Sequence, residues 1–288
     1  MAISYITLQK RTIIAISGID NQIFLQKIIS NNINNAKRDI FLYTLLLTPQ
    51  GKFLYDFFIT YDENNNIYLL DCLFREKEKI IKTLSIYKLG ANINITDASD
   101  SYKIYAIEQN YSDLKEQLKN GYLKNNFLSP DPRNKNLWPR LIAKDDIREI
   151  FPTEDFVEID YPKYNQARIL NLIPDSEHDL VSGESYPHDF NLEQLNAISY
   201  TKGCYIGQEV TARVHNKQSI RKKLLQIIEF EKNIILNDNK FLDNNKGIIT
   251  STQNNLGLAL INLPLPENLD VSYQRIKGKI LATAKSQG

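Results

Sequence analysis

Two hydrophobic periods alternate along the first half of the chain. Arg11–Ser17 (RTIIAIS) is a nearly continuous apolar run that reads as a strand, ended by Gly18. Asp20 is placed to cap a following helix in which Phe24, Leu25, Ile28 and Ile29 share one face. Phe41–Thr48 and Lys52–Thr60 read as two strands, and the intervening Pro49-Gln50-Gly51 has the chemistry of a hairpin turn. Ile67–Asp71 is a further strand. A charged segment with Ile80, Ile81 and Leu84 at helical spacing follows and stops at Gly90. Ala91–Ala98 and Lys103–Ile107 alternate as strands do, and Ser112 to Leu118 predicts a short helix ending at Gly121.

Ser129 to Trp138 (SPDPRNKNLW) is loop chemistry with two X-Pro bonds, expected to divide the first half into two lobes. Asp145–Ile150 predicts a short helix broken by Pro152. From Pro174 to Phe190 the chain loses its periodicity, and a loop this long inside a compact domain is often functional. Past Arg213 the pattern changes to short apolar strands, Leu224–Phe230, Gly247–Thr252, Leu256–Ile261 and Ile276–Leu281, separated by Asn-rich turns. These predict a small antiparallel barrel or sandwich. The expected class is α+β, with an α+β region over residues 1–215, broken near 129–138, and an all-β domain over 216–288.

Composition narrows the functional classes. Lys plus Arg number 35 and Asp plus Glu 34, so the chain has no global electrostatic footprint for nucleic acid. The basic segment Arg213, Lys217, Arg221, Lys222 and Lys223 is either a local patch or a solvated linker. The two cysteines, Cys72 and Cys204, make no disulfide framework, which suits a reducing compartment. Two thiols alone do not complete a four-ligand metal site. The N-terminus does not read as a signal peptide, and the longest apolar run, Ile40 to Leu47, is too short to span a bilayer. The expectation is a cytoplasmic monomer without membrane or direct nucleic-acid partners.

The richest chemistry lies in Lys202-Gly203-Cys204-Tyr205-Ile206-Gly207-Gln208-Glu209, followed by Arg213. The two glycines allow a sharp turn and close approach to a ligand. Gln208 to Val214 can form a helix with Glu209 and Arg213 paired one turn apart. Cys204 then precedes a helix start, with Lys202 nearby, and both features favour a reactive thiolate. The other reading is a small buried hydrophobe at a tight turn. In the predicted strand Lys52–Thr60, Asp56 shares a face with Leu54 and Phe58, so this acid needs a partner or purpose unless it faces water on an edge strand. The histidines His178, His188 and His215 make no metal pattern, and there is no phosphate-binding Gly-rich loop or Ser-His-Asp arrangement.

The string KGCYIGQEVTARVH closely resembles the signature of YgfZ-type folate-binding proteins, which support iron–sulfur cluster assembly or repair. Lys202, Gly203, Cys204, Tyr205, Gly207, Gln208, Glu209 and Arg213 all match it. The resemblance extends to Gly18-Ile-Asp20 with Phe24-Leu25-Gln26, to Thr48-Pro49-Gln50-Gly51-Lys52 leading to Asp56, to Pro187 with Asn191-Leu192 and Ile198-Ser199-Tyr200, and to Gly247–Ile261. It departs at Asn32, where the family has Asp, and at Leu172, where it has Gly. The resemblance implies a fold like that of the glycine-cleavage T-protein, a tetrahydrofolate-dependent aminomethyltransferase. That means three subdomains around a folate-binding hole, with a small C-terminal antiparallel barrel. It also implies Cys204 and Asp56 as the reactive groups, and Tyr164, Arg168, Glu184, Lys202, Tyr205 and Arg213 as folate contacts, with Lys202 or Arg213 on the glutamate tail. Cys204 would hold a transient iron–sulfur cluster only together with an assembly or client protein. The alternatives are a true aminomethyltransferase and a factor linked to tRNA modification through iron–sulfur enzymes.

Overall fold

The computed structural model describes residues 2–118, 125–151, 155–217, 223–237 and 240–281. The chain opens with β1 (Ile3–Thr7) and β2 (Arg11–Ser17), then α1 (Asn21–Ile28), β3 (Leu42–Leu47), β4 (Phe53–Asp62), β5 (Ile67–Leu73), α2 (Lys77–Tyr87) and β6 (Asn94–Asp97). It continues through β7 (Lys103–Ile107), α3 (Tyr111–Gln117), β8 (Phe127–Ser129), β9 (Arg140–Ala143), α4 (Ile147–Ile150), β10 (Phe156–Glu158) and α5 (Tyr161–Leu170). After the irregular stretch come α6 (Gln208–Lys217) and β11 (Lys223–Phe230), β12 (Gly247–Gln253), β13 (Leu256–Asn262), β14 (Asp270–Tyr273) and β15 (Ile276–Ile280).

These strands form three five-stranded sheets, ordered β10-β1-β7-β9-β8, β3-β4-β5-β2-β6 and β12-β13-β11-β15-β14. Side chains alternate across each strand, so each sheet can bury both faces. In β3 all six residues are buried. Tyr43, Leu45 and Leu47 enter a central core, whereas Leu42 and Leu46 meet the apolar stripes of α1 and α2 (Phe24, Leu25, Ile28, Ile80, Leu84). The central core also takes Ile104, Ala106 and Ile142 from the first sheet and Leu225, Ile227 and Leu258 from the third. Each sheet thus turns one face to a shared centre, and its other face is closed separately. Each fully buried Leu or Ile contributes about 1.5–3 kcal/mol. Because C-terminal strands supply residues to the shared centre, the expected boundary at residue 216 cuts through a common core.

The Pro49-Gln50-Gly51 hairpin forms as expected, with Gly51 at φ 74° and strands paired from Leu42↔Ile59 to Leu47↔Phe53. Leu172 adopts φ 55°, a backbone that suits the glycine the resemblance would place there. Two expectations need correction. The 129–138 loop does not divide two lobes, because β8 and β9 on either side of it pair as one hairpin (Leu128↔Leu141). The two N-terminal sheets interleave instead, since the chain leaves the first sheet after β1 and returns to it at β7. Asp20 precedes α1 but makes no side-chain cap; its carboxylate accepts from the Asn92 N–H. The sequence pattern does not mark β1, β8, β9, β10 or α5 as regular structure. Gly121, Pro152, Arg221 and Lys222 lie outside the described residues.

Candidate functional site

A cavity of about 330 Å³ opens where the first two sheets meet α5. On β4 the two-residue period puts Asp56 and Phe58 on the central face, and both line this cavity. Asp56 is buried, not at a wet edge: β4 lies between β3 and β5. One carboxylate oxygen accepts from Arg11 Nη1 at 3.2 Å, and the other accepts from the Tyr43 hydroxyl at 3.4 Å. Arg11 donates further to Asp71, from Nε to Oδ1 at 2.6 Å and from Nη2 to the backbone oxygen at 2.9 Å. Arg140 donates to the other oxygen of Asp71. Arg133 forks onto Asp131 at 2.9 and 2.8 Å and also donates to the Tyr164 hydroxyl at 3.3 Å.

The three guanidiniums crowd the Phe58 ring, with Arg140 at 3.8 Å, Arg133 at 4.7 Å and Arg11 at 5.1 Å from its centroid. A buried ion is tolerable only when paired, and each arginine here has a carboxylate. Burial works against the charge on Arg11, but Asp56 and Asp71 outweigh it and hold the guanidinium above its ordinary value. Burial pushes the Tyr43 phenol up, so it stays a donor to Asp56. Arg140 Nε is buried out of reach of the open cavity and has no hydrogen-bond partner among the described residues.

The cysteine motif folds as a loop fixed at three points. Lys202 turns inward and donates to the carbonyls of Gln26 (2.7 Å), Ile29 (2.6 Å) and Asn31 (3.0 Å), which serve the C-terminal end of α1. Burial pulls its pKa down to about 8. Tyr205 packs into the central core, and its backbone N–H donates to the Gln208 side chain at the start of α6. Gly207, at φ 81°, lies against the β3–β4 turn, where a Cβ would stand 2.5 Å from the Thr48 oxygen. Cys204, between the first two anchors, is exposed. Gly203 has open space on its Cβ side and no positive φ, so it leaves room beside the thiol and makes no sharp turn.

The structure brings Asp56 and Tyr164 into one cavity, with Trp138 and Tyr161 beside Tyr164 at ring separations of 5.5 and 6.3 Å. It does not bring Cys204 there: the thiol is exposed and is not among the residues that line the cavity. Lys202 is not beside the thiol and is not open to a glutamate tail, because its ammonium is buried among three carbonyls. Arg168, 1% exposed, bonds Asp179, Asn165, the Ile173 carbonyl and Ser251, fastening α5 to β12 behind the cavity wall. Glu184 is exposed at a second cavity of about 740 Å³, and Arg213 is exposed and paired with Glu209 at 2.8 Å. Sequence reading missed Arg11, Tyr43, Asp71, Asp131, Arg133 and Arg140. Asp71, an acid inside the apolar strand IYLLDCL, carries the same signal that singled out Asp56. Among the described residues there is no group of three or more His, Cys, Asp or Glu placed to hold a metal ion, and no helix long and apolar enough to cross a membrane.

No protein-family model matches the chain. Its curated relatives include the mitochondrial iron-sulfur cluster assembly factor IBA57 homologue of Neurospora crassa, 28% identical over 233 residues, covering 77% of this chain and 52% of that protein. The homologue of Dictyostelium discoideum is 24% identical, covering 80% of this chain and 63% of that protein. The Mus musculus factor is 31% identical over 196 residues, covering 64% and 52%. The chain therefore spans about half to three-fifths of the length of these relatives. Among solved structures, the glycine cleavage system aminomethyltransferase T of Bartonella henselae superposes with a TM-score of 0.77 over 98% of this chain and 85% of that one, at 13% identity. The fold is thus T-protein-like, as the sequence implied. The expectation of a cytoplasmic protein is overturned, because these relatives are named as mitochondrial and point to that compartment instead.

Proposed function

We propose that this chain is a YgfZ-type, folate-binding accessory factor for iron–sulfur cluster assembly, in which Cys204 shares a cluster in transit with a partner protein. The observation that carries the reading is the display of Cys204: an exposed thiol on a loop pinned by Lys202, Tyr205 and Gly207, with open space beside Gly203. The named role of the curated relatives supports the same reading. One thiolate cannot close a cluster site, so the remaining ligands come from the partner or an external thiol. The cluster is the cargo, and Cys204 is its temporary ligand.

The arginine–aspartate cavity suits the folate. Phe58, Tyr161 and Tyr164 give it aromatic walls and Asp56 offers an acceptor, a combination fitted to a flat heterocycle that carries donor groups. The T-protein-like fold and the position of Asp56 also suit aminomethyl transfer. The Arg11 and Tyr43 hydrogen bonds to Asp56 hold its carboxylate in one orientation, which favours a binding role.

Two measurements test the reading. Calorimetry under anaerobic conditions should show tetrahydrofolate binding to wild type and to Cys204→Ala, with Asp56→Ala weakened. Anaerobic titration of a cluster-loaded assembly protein should give a shared cluster, seen by its visible absorbance, with wild type but not with Cys204→Ala. Retention of the shared cluster by Cys204→Ala removes the thiol from the mechanism, and absence of folate binding removes the cofactor. Sustained production of methylene-tetrahydrofolate from an aminomethylated carrier protein would establish the transferase instead.

A further inference from the structure

The cavity has two electrostatic zones. At its inner end, Arg11, Arg133 and Arg140 face Asp56, Asp71 and Asp131, so the charges balance in number and every guanidinium already holds a carboxylate. The mouth is different. Glu158 and Asp160 are exposed there, and Asp175 and Glu177 are half-buried. Lys10 is the cation among the mouth's lining residues, and it is paired with Glu177 at 2.9 Å. The start of α5 also lies at the mouth, and its helix dipole would attract an anion, but Asp160 stands at that position and cancels it.

From this arrangement, and resting on the folate reading above, we infer that the cavity discriminates against anionic tails: it takes the flat heterocycle with a short tail and disfavours polyglutamylated folates. The heterocycle must enter head first. A glutamate carboxylate driven inward would meet guanidiniums already neutralised by buried aspartates, and burying it unpaired costs several kcal/mol. The inner end does offer a match for a neutral flat head, since Phe58, Tyr161 and Tyr164 line the cavity with aromatic surface. The tail then leaves past Glu158, Asp160 and Asp175. Arg168 answers Asp175, and Lys10 with Arg75 answers Glu177, so the uncompensated charges are those of Glu158 and Asp160. Two like charges about one Debye length away, ~10 Å at ~0.1 M salt, weaken binding roughly 1.5- to twofold per glutamate, and more at ~0.01 M.

The test is anaerobic calorimetry with three probes: 6-methyltetrahydropterin, tetrahydrofolate with one glutamate, and tetrahydrofolate with three. Wild type should bind the triglutamate about two- to fourfold more weakly than the monoglutamate at ~0.1 M salt, with the gap widening at low salt. The double variant Glu158→Gln, Asp160→Asn neutralises two exposed side chains and should narrow the gap. Equal or tighter binding of the triglutamate by wild type overturns the inference while leaving the folate reading intact. So does a gap that ignores both salt and the double variant. Failure of all three probes to bind overturns the folate reading itself, and the inference with it.

Discussion

Gly207→Ala tests whether the cysteine loop is held by its packing on the β3–β4 turn. The wild-type residue has φ 81°, a region that costs a side-chain-bearing residue about 1–2 kcal/mol. The new Cβ would lie 2.5 Å from the Thr48 oxygen, 3.0 Å from the Leu47 Cβ and 3.1 Å from the Gly51 Cα. Two of those neighbours are backbone, which cannot swing aside, and overpacking of this kind typically costs about 1–3 kcal/mol. The expected loss is therefore about 2–5 kcal/mol, read as a shift in the urea midpoint at unchanged slope, or as a fall in Tm of about 5–10 °C. Gly203→Ala, four residues away, is the control. Nothing lies within 4 Å of its added Cβ, so its effect should stay within about 0.5 kcal/mol. Equal losses from the two substitutions, or none from Gly207→Ala, would refute the assignment of Gly207 as a packing anchor.

Other consequences are as direct. Lys202→Met strands three carbonyls at the end of α1 and should cost about 2–4 kcal/mol by denaturant titration; a neutral result would mean that water replaces the ammonium. A thiol reagent added to native protein should label one cysteine quickly, Cys204, whereas Cys72, buried and with its thiol pushed up by that burial, should react only after denaturation. Two fast thiols would contradict the packing of β5. Arg140→Met removes one of the two guanidiniums on buried Asp71 and should cost about 3 kcal/mol, a stability loss absent if the pair were solvated. Burial raises the Asp175 carboxyl, but Arg168 and the Glu177 N–H outweigh it and hold it below its ordinary value. Its stabilising contribution is then present above about pH 4, the unfolded value, and is lost as pH falls toward the folded one. Tm of Asp175→Asn should fall less steeply than wild type between pH 5 and 3.

The strands of the second sheet were legible because their apolar runs are long and their turns are marked by Gly and Pro. α5 was not, and the reason is its buried face. Tyr164, Asn165, Arg168 and Ile169 are its inward residues, and two of these are polar because they bond Ser251, Asp179 and the Thr252 carbonyl across to β12. A hydrophobic period cannot report a helix whose core-facing side is partly ionic. β8, β9 and β10 are only three or four residues long, too short to show a period. At the site, Cys204 and the Glu209–Arg213 pair are local and could be read from spacing. The direction of Lys202 could not, since its partners lie more than 170 positions earlier in the chain.

That long-range contact explains how a loop without regular structure can present a thiol in a fixed place. The β3–β4 hairpin is the common support. Its turn receives Gly207 and, through Gly51, the Val210 side chain of α6. Its strands carry Tyr43 on β3 and Asp56 and Phe58 on β4 into the cavity. The thiol loop and the arginine–aspartate cavity are therefore built on one rigid element while facing different surroundings, one solvent and one the core. Substitutions at Cys204 and at Asp56 should separate the two proposed activities cleanly, because neither residue packs the hairpin against the other site. Damage at the turn itself should impair both together.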